Sequence, residues 1–248
     1  MIMKLKVNIF SILILLGLSS CNLFTDSKPQ KEIENNGEKI LKSYYKKSGD
    51  IKTEITVKNN KKNGPAKKYY VSGELHTLVH YVDNIKEGKT VWYYKNGNPY
   101  RVTNYKNGKK EGIRKIYYED GKLQAEIPYL NDKLKLGTKE YDKKGNLITK
   151  VPNIQFNGID YLKFEGRFIL QISLSNNSKR VKFFEERTIS TDEKVLVRLN
   201  SKNGIAQIEY NLLPGYFEMK RINIFAEYKS NLGNPILLEG SYNLAIEN

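Results

Sequence analysis

From about residue 44 onward, apolar and polar residues alternate in short bursts, and each burst ends at a glycine-bearing turn. The bursts return at a fixed interval of 24 residues, kept by Tyr45, Tyr69, Tyr93, Tyr117 and Tyr141, with Gly49, Gly73, Gly97, Gly121 and Gly145 four residues behind. Ile51, Leu75, Pro99, Leu123 and Leu147 share the period, as do Val57, Tyr81, Tyr105 and Tyr129, followed by Gly64, Gly88 and Gly112. A constant period means stacked copies of one supersecondary unit, each burying a face that it cannot bury alone. In the third copy, residues 90–94 are aromatic and β-branched, Asn96-Gly97 supplies a hairpin turn, and residues 100–105 form the return strand.

Strand side chains alternate between faces, so the pattern also predicts a register. The five tyrosines of the Tyr45 series share one face, taken as the packed one, with Leu75, Val79 and Tyr81 or Leu123, Ile127 and Tyr129 beside them. The opposite face then carries Tyr70, Trp92, Tyr94 and Tyr118 as an aromatic strip, with charged ends at Lys46 and Asp142. Such a strip is either a structural ladder, since cross-strand aromatic pairs stabilise a sheet, or a binding surface that offers contact area at low entropic cost. A seam between two copies of the chain is a further use of it.

After Pro152 the period stops. Alternation continues at 164–173, 181–184, 195–199, 206–210, 216–219, 222–228 and 236–242, separated by Asn177-Ser178, Asn203-Gly204, Pro214-Gly215 and Gly233-Asn234-Pro235. Seven short strands with turn signals between them predict a β-sandwich of immunoglobulin-like type, with no helix longer than a turn or two. The chain therefore reads as all-β: an elongated antiparallel sheet of β-hairpin repeats, then a sandwich. The expected divisions are a leader at 1–21, a polar tether at 22–43, repeats at 44–152 and the sandwich at 153–248.

The leader is read from Lys4 and Lys6 before an apolar run, residues 7–18, that ends in Leu18-Ser19-Ser20-Cys21. The run is too short to span a bilayer, and this layout describes a secretory signal peptide. Cys21 is the only cysteine, so an exported chain has no internal disulfide and must be held by packing. Net charge adds a direction. The chain carries +15, and residues 22–152 hold 28 Lys and Arg against 16 Asp and Glu, whereas residues 153–248 hold 12 against 11. The basic excess belongs to the repeats, where it favours anionic partners or keeps exposed strands from pairing with other chains.

Catalytic sets are sparse. His76 and His80 are the only histidines, and four residues along a strand puts them ~13 Å apart, too far to share a zinc ion. No serine sits in Gly-x-Ser-x-Gly, and the glycines are turn glycines rather than a phosphate-binding loop. The expectation is a protein without enzyme activity, cofactor or metal. A hydrolase would need two carboxylates converging between the domains.

Two stretches resemble known families. Leu18-Ser19-Ser20-Cys21 resembles the lipobox of bacterial lipoproteins, which implies acylation of Cys21 and attachment to a membrane; an ordinary signal peptide is the other reading. Asn22 after the cysteine is not the aspartate linked to inner-membrane retention, which favours the outer membrane of the cell envelope. Tyr69-Tyr70-Val71-Ser72-Gly73-Glu74-Leu75, running through Tyr81 to Lys86-Glu87-Gly88, resembles the bacterial variant of the MORN repeat, and the likeness covers roughly residues 44–150. That resemblance implies a β-hairpin scaffold for membrane or protein contacts. It also includes chains labelled YwqK-type antitoxins, so neutralising an envelope-acting toxin is an alternative to a non-catalytic binding module. The partners implied are a membrane, a protein and an anionic lipid or glycan, with no nucleic acid.

Overall fold

A computed structural model describes residues 31–35, 37–191 and 193–248; Cys21 and the expected leader lie outside the described residues. The repeats form one 13-stranded sheet. Its first strands are β1 (Lys31–Asn35), β2 (Glu38–Tyr44), β3 (Ile51–Lys58), β4 (Lys61–Tyr69), β5 (Leu75–Val82), β6 (Ile85–Lys86) and β7 (Gly88–Tyr93). β8 (Pro99–Lys106), β9 (Lys109–Lys110), β10 (Gly112–Tyr117), β11 (Leu123–Leu130), β12 (Lys133–Leu134) and β13 (Lys139–Glu140) complete it. The order is β1-β2-β3-β4-β5-β7-β8-β10-β11-β12, with β6, β9 and β13 paired beside β5, β8 and β11. Neighbours in the chain are neighbours in the sheet, as expected of stacked hairpins.

Each hairpin has a long turn after its first strand and a register shift just before that turn, at Ser43/Tyr44, Lys68/Tyr69, Trp92/Tyr93 and Ile116/Tyr117. Gly97 shows why the turn repeats a glycine: its φ is +86°, and nothing lies within 4 Å of an added Cβ, so the demand is conformational rather than spatial.

Three expectations need correction here. The sheet starts inside the stretch read as a tether, because residues 31–35 and 38–44 are strands. Their lysines and glutamates hid this, being the charged residues tolerated near a sheet edge; Lys42 pairs with Glu54 across β2 and β3 at 2.9 Å. In the first copy Tyr44 pairs with Ile51 as Tyr69 pairs with Leu75, so Tyr45 is the structural equivalent of Tyr70 and its turn is one residue longer. Tyr45, not the expected Lys46, therefore stands in line with Tyr70 at this end of the strip.

The faces are also reversed for the first strands. The packed face holds the buried Ser43, Thr53, Thr77, Thr90 and Thr103 together with Ala66, Val79, Ala125 and Ile127. Trp92, paired with Thr77, belongs to this face and is only 8% exposed. Tyr93, one residue on, points the other way. Small side chains suffice on the packed face because Tyr81, Tyr105 and Tyr129 also lie on it, each with a lysine 19 residues earlier over its ring: Lys62, Lys86 and Lys110, at 5.3, 5.3 and 5.0 Å.

The C-terminal unit contains β14 (Ile154–Tyr161), α1 (Leu162–Glu165), β15 (Arg167–Leu174), β16 (Val181–Ser190), β17 (Glu193–Arg198), β18 (Ser201–Lys202), β19 (Ile205–Asn211), β20 (Phe217–Lys229) and β21 (Pro235–Glu247). Two four-stranded sheets, β14-β15-β19-β18 and β17-β16-β20-β21, enclose a single apolar core. With every pair antiparallel, this is the A-B-E-D order of an immunoglobulin sandwich facing C-F-G plus one added strand. The expected strands at 216–219 and 222–228 are one continuous strand. β14 is a strand outside the seven expected, and Phe164 lies in α1, 87% exposed, rather than in a strand.

Candidate functional site

Tyr70, Tyr94 and Tyr118 stand at the starts of successive turns, and each hydroxyl donates to the backbone carbonyl of the next repeat. The acceptors are Tyr93, Tyr117 and Tyr141, at 2.7, 2.9 and 2.8 Å, and Tyr45 begins the series by donating to Tyr69 at 2.6 Å. The ladder stops at Asp142, whose Oδ1 accepts instead from Lys144 and Asn146 in its own turn. Burial raises the pKa of Tyr70, Tyr94 and Tyr118, which keeps them protonated donors. These three tyrosines thus bolt repeat to repeat, and Trp92 is not among them: it lies on the packed face. These bonds give the three tyrosines a structural role. Tyr94→Phe is expected to lower unfolding free energy by ~0.5–1.5 kcal/mol, the net worth of one such bond. Denaturant unfolding that matches the unsubstituted chain would remove the hydroxyl from the account.

The free face of the sheet is differentiated along its length. Positions 54, 78, 102 and 126, one period apart, read Glu, Leu, Val, Glu. In the flanking repeats the carboxylates hold tyrosines of the 24-residue series: Tyr69 donates to Glu54 at 2.7 Å and Tyr141 to Glu126 at 3.2 Å. Burial alone would raise the pKa of Glu54, but the hydrogen bonds from Tyr69 and Lys42 outweigh it and leave the carboxyl below its ordinary value. In the centre the carboxylates are absent, and Val91, Tyr93, Pro99, Val102, Ile113 and Tyr117 line a shallow apolar groove bordered by Lys89, Asn104 and Lys115. An apolar centre within a polar rim is the usual anatomy of a protein-binding surface. The signal for it lay in the sequence as the change from Glu54 to Leu78 and Val102 and back to Glu126.

The packed face carries a second unusual group. Arg101 stacks on Trp92 with its guanidinium carbon 3.9 Å from the ring centroid. Arg114 lies 4.7 Å over Tyr129, and donates from Nε to Thr103 Oγ1 and from Nη1 to Tyr129 Oη. Burial pulls the Arg101 pKa below its ordinary value, and the charge of Arg114 adds to the effect. Arg101 Nε is buried without a hydrogen-bond partner.

His76 and His80 lie on the free face with Leu78. His76 Nδ1 meets Thr77 Oγ1 at 2.7 Å and its ring packs edge-on against Tyr70, while His80 Nδ1 lies 3.4 Å from the Lys89 carbonyl. At the junction between repeats and sandwich, a cleft is lined by Thr138, Glu140, Lys150, Tyr228 and Ser230 among others. Glu140 is the sole carboxylate in that lining, and its Oε1 accepts from Ser230 Oγ and Asn234 Nδ2, both at 2.6 Å. Burial and the charge of Glu140 push the Tyr228 pKa up to about 12.

Stacked hairpins, closed alike in all but the first copy and joined by a ladder between copies, define a β-hairpin repeat protein. Residues 86–107 and 110–131 match the MORN repeat variant. Each matched stretch is one hairpin, β7 with β8 and β10 with β11, and the β4–β5 hairpin has the same pairing and turn without lying in a matched stretch. No curated protein matches the chain. The repeats mark a repeat-based binding or scaffold module.

Proposed function

We propose that this chain is a lipoprotein, anchored to a membrane of the bacterial envelope through Cys21, whose repeat sheet holds a protein partner by the apolar groove of its free face. The observation that carries the reading is the substitution of Glu54 and Glu126 by Leu78 and Val102 in the two central repeats, which leaves an apolar patch where the flanking repeats have a carboxylate–tyrosine bond. A patch of this kind costs solvation unless something covers it. The lysines at its rim, Lys89 and Lys115, suit a partner with acidic residues around an apolar contact.

The test uses the protein's own design. Val102→Glu installs the residue that the flanking repeats carry, 15 positions before Tyr117 as Glu126 stands 15 before Tyr141, so the fold should accept it. Cross-linking in living cells, capture of the tagged chain and mass spectrometry are expected to find a partner with the native chain that Val102→Glu loses. An unchanged set of captured proteins would overturn the groove as the site. Cys21→Ser is expected to move the chain from the membrane pellet to the soluble fraction, and retention in the pellet would overturn the anchor.

A further inference from the structure

We infer that Arg101 and Arg114, on the face of the repeat sheet opposite the groove, form a paired carboxylate site that takes an extended acidic segment of a polypeptide. This deepens the binding reading, and it rests on that reading only in taking the ligand to be a polypeptide.

The two guanidinium groups are held in place before any ligand arrives. Arg101 lies flat on Trp92, and Arg114 is fixed by Thr103 and Tyr129. Stacking on an aromatic face leaves the edge of a guanidinium, with its fork of N–H donors, free for a planar oxyanion. Among the described residues neither arginine has a carboxylate within ion-pair distance, although both are partly buried and the charge of Arg114 disfavours that of Arg101. One donor, Arg101 Nε, is already out of water without an acceptor. Two half-buried like charges lacking a counter-charge are costly in an unliganded protein and are relieved by an anion.

Register selects the kind of anion. Arg101 is paired with Ile116, and Arg114 is two residues before Ile116 on the same strand, so the arginines are diagonal neighbours on one face. The backbones of diagonal neighbours on antiparallel strands lie ~7–8 Å apart, close to the ~6.6–6.8 Å at which alternate side chains of an extended chain repeat. A segment with carboxylates at every second residue therefore meets both arginines at once. A single phosphate can also bridge two guanidinium groups but lacks the two-residue repeat of an extended chain, so it serves below as the competing probe.

The chain holds one tryptophan, and it is the one beneath Arg101, so tryptophan emission, excited where tyrosine does not absorb, reports on this site alone. The soluble chain from Asn22 onward would be titrated with three probes: a Ser-Glu-Ser-Glu-Ser peptide, a Ser-Glu-Glu-Ser-Ser peptide of equal charge, and inorganic phosphate. The alternating peptide is expected to give a saturable change at Trp92 with tighter binding than the other two. Arg114→Gln is expected to weaken it about tenfold or more, the loss of one charged hydrogen-bonding partner, while the exposed-charge control Lys106→Gln leaves it unchanged. Arg101→Lys keeps the net charge but not the fork, and is expected to weaken binding as well, which tests the site even if Arg114→Gln unfolds. Equal binding of both peptides, a loss as large in Lys106→Gln, or saturation by phosphate without the peptide preference would each overturn the proposal. Because the groove lies on the other face, none of these outcomes changes what Val102→Glu does in cells.

Discussion

Phe183→Ala is expected to destabilise the C-terminal sandwich by ~3–5 kcal/mol, whereas the same truncation at Phe164 should stay within about 0.5 kcal/mol of the unsubstituted chain. Both are phenylalanines in the same unit, so residue type does not decide the outcome. Phe183 is on β16, fully buried, in the core formed by both sheets, where Leu170, Ile172, Leu174 and Ile224 are also fully buried. Removing its ring deletes transfer free energy and leaves a cavity that two hydrogen-bonded sheets cannot close. Phe164 is on the short helix α1 and is 87% exposed. A loss of this size is a large part of a domain's stability, so Phe183→Ala should lower the midpoint of the sandwich transition by many degrees in calorimetry. Equal effects of the two truncations would mean that the sandwich core is not where its stability resides.

Much of this architecture was legible in the sequence, for reasons that particular residues make plain. The 24-residue period gave the hairpins because glycine at positive φ, as at Gly97, is a local requirement that recurs with each turn. The alternation of Phe168, Leu170, Ile172 and Leu174 gave a sandwich strand because one face of it is buried throughout. The assignment of faces in the repeats was not legible. Tyrosines dominate the pattern, yet the packed side is built from Thr77, Thr90, Thr103, Ala66 and Ala125, residues that look neutral until the rings of Tyr81, Tyr105 and Tyr129 are placed on the same face. The site residues divide in the same way. Tyr70, Tyr94 and Tyr118 were visible as a series, but a hydroxyl-to-carbonyl bond spanning 23 residues has no signature in a sequence. Trp92 was visible as a member of the aromatic strip, and its partner Arg101 was not, because the two stand nine positions apart and are brought together only by the hairpin.

Glu140→Ala is expected to uncouple the repeats from the sandwich. Glu140 ends the repeat sheet on β13, paired with Ala125 of β11, and it is 7% exposed. Its partners Ser230 and Asn234 belong to the turn between β20 and β21, which is closed by the Ser230 amide on the Asn234 carbonyl. Thr138 adds a bond to the Pro235 carbonyl at 3.2 Å. One carboxylate oxygen therefore satisfies two donors of the other unit, and Asn234, 3% exposed, has no water to turn to when that oxygen is removed. Leaving the buried Asn234 amide unmatched costs ~1–3 kcal/mol, and the half-buried Ser230 loses its bond as well, so the junction should weaken by about that much or somewhat more while each unit keeps its own hydrogen bonds and core. Linked units unfold together, and unlinked ones unfold at their own temperatures. In calorimetry the native chain should show one transition or two closely overlapping ones, and Glu140→Ala should show two that are clearly separated, with faster protease cleavage between residues 143 and 152. Glu140→Gln retains a carbonyl oxygen at the same place and should lie between them. If Glu140→Ala melts as the native chain does and is cut no faster, the contact at Ser230 and Asn234 does not join the two units, and coupling must come from Thr138 and the apolar lining of the cleft.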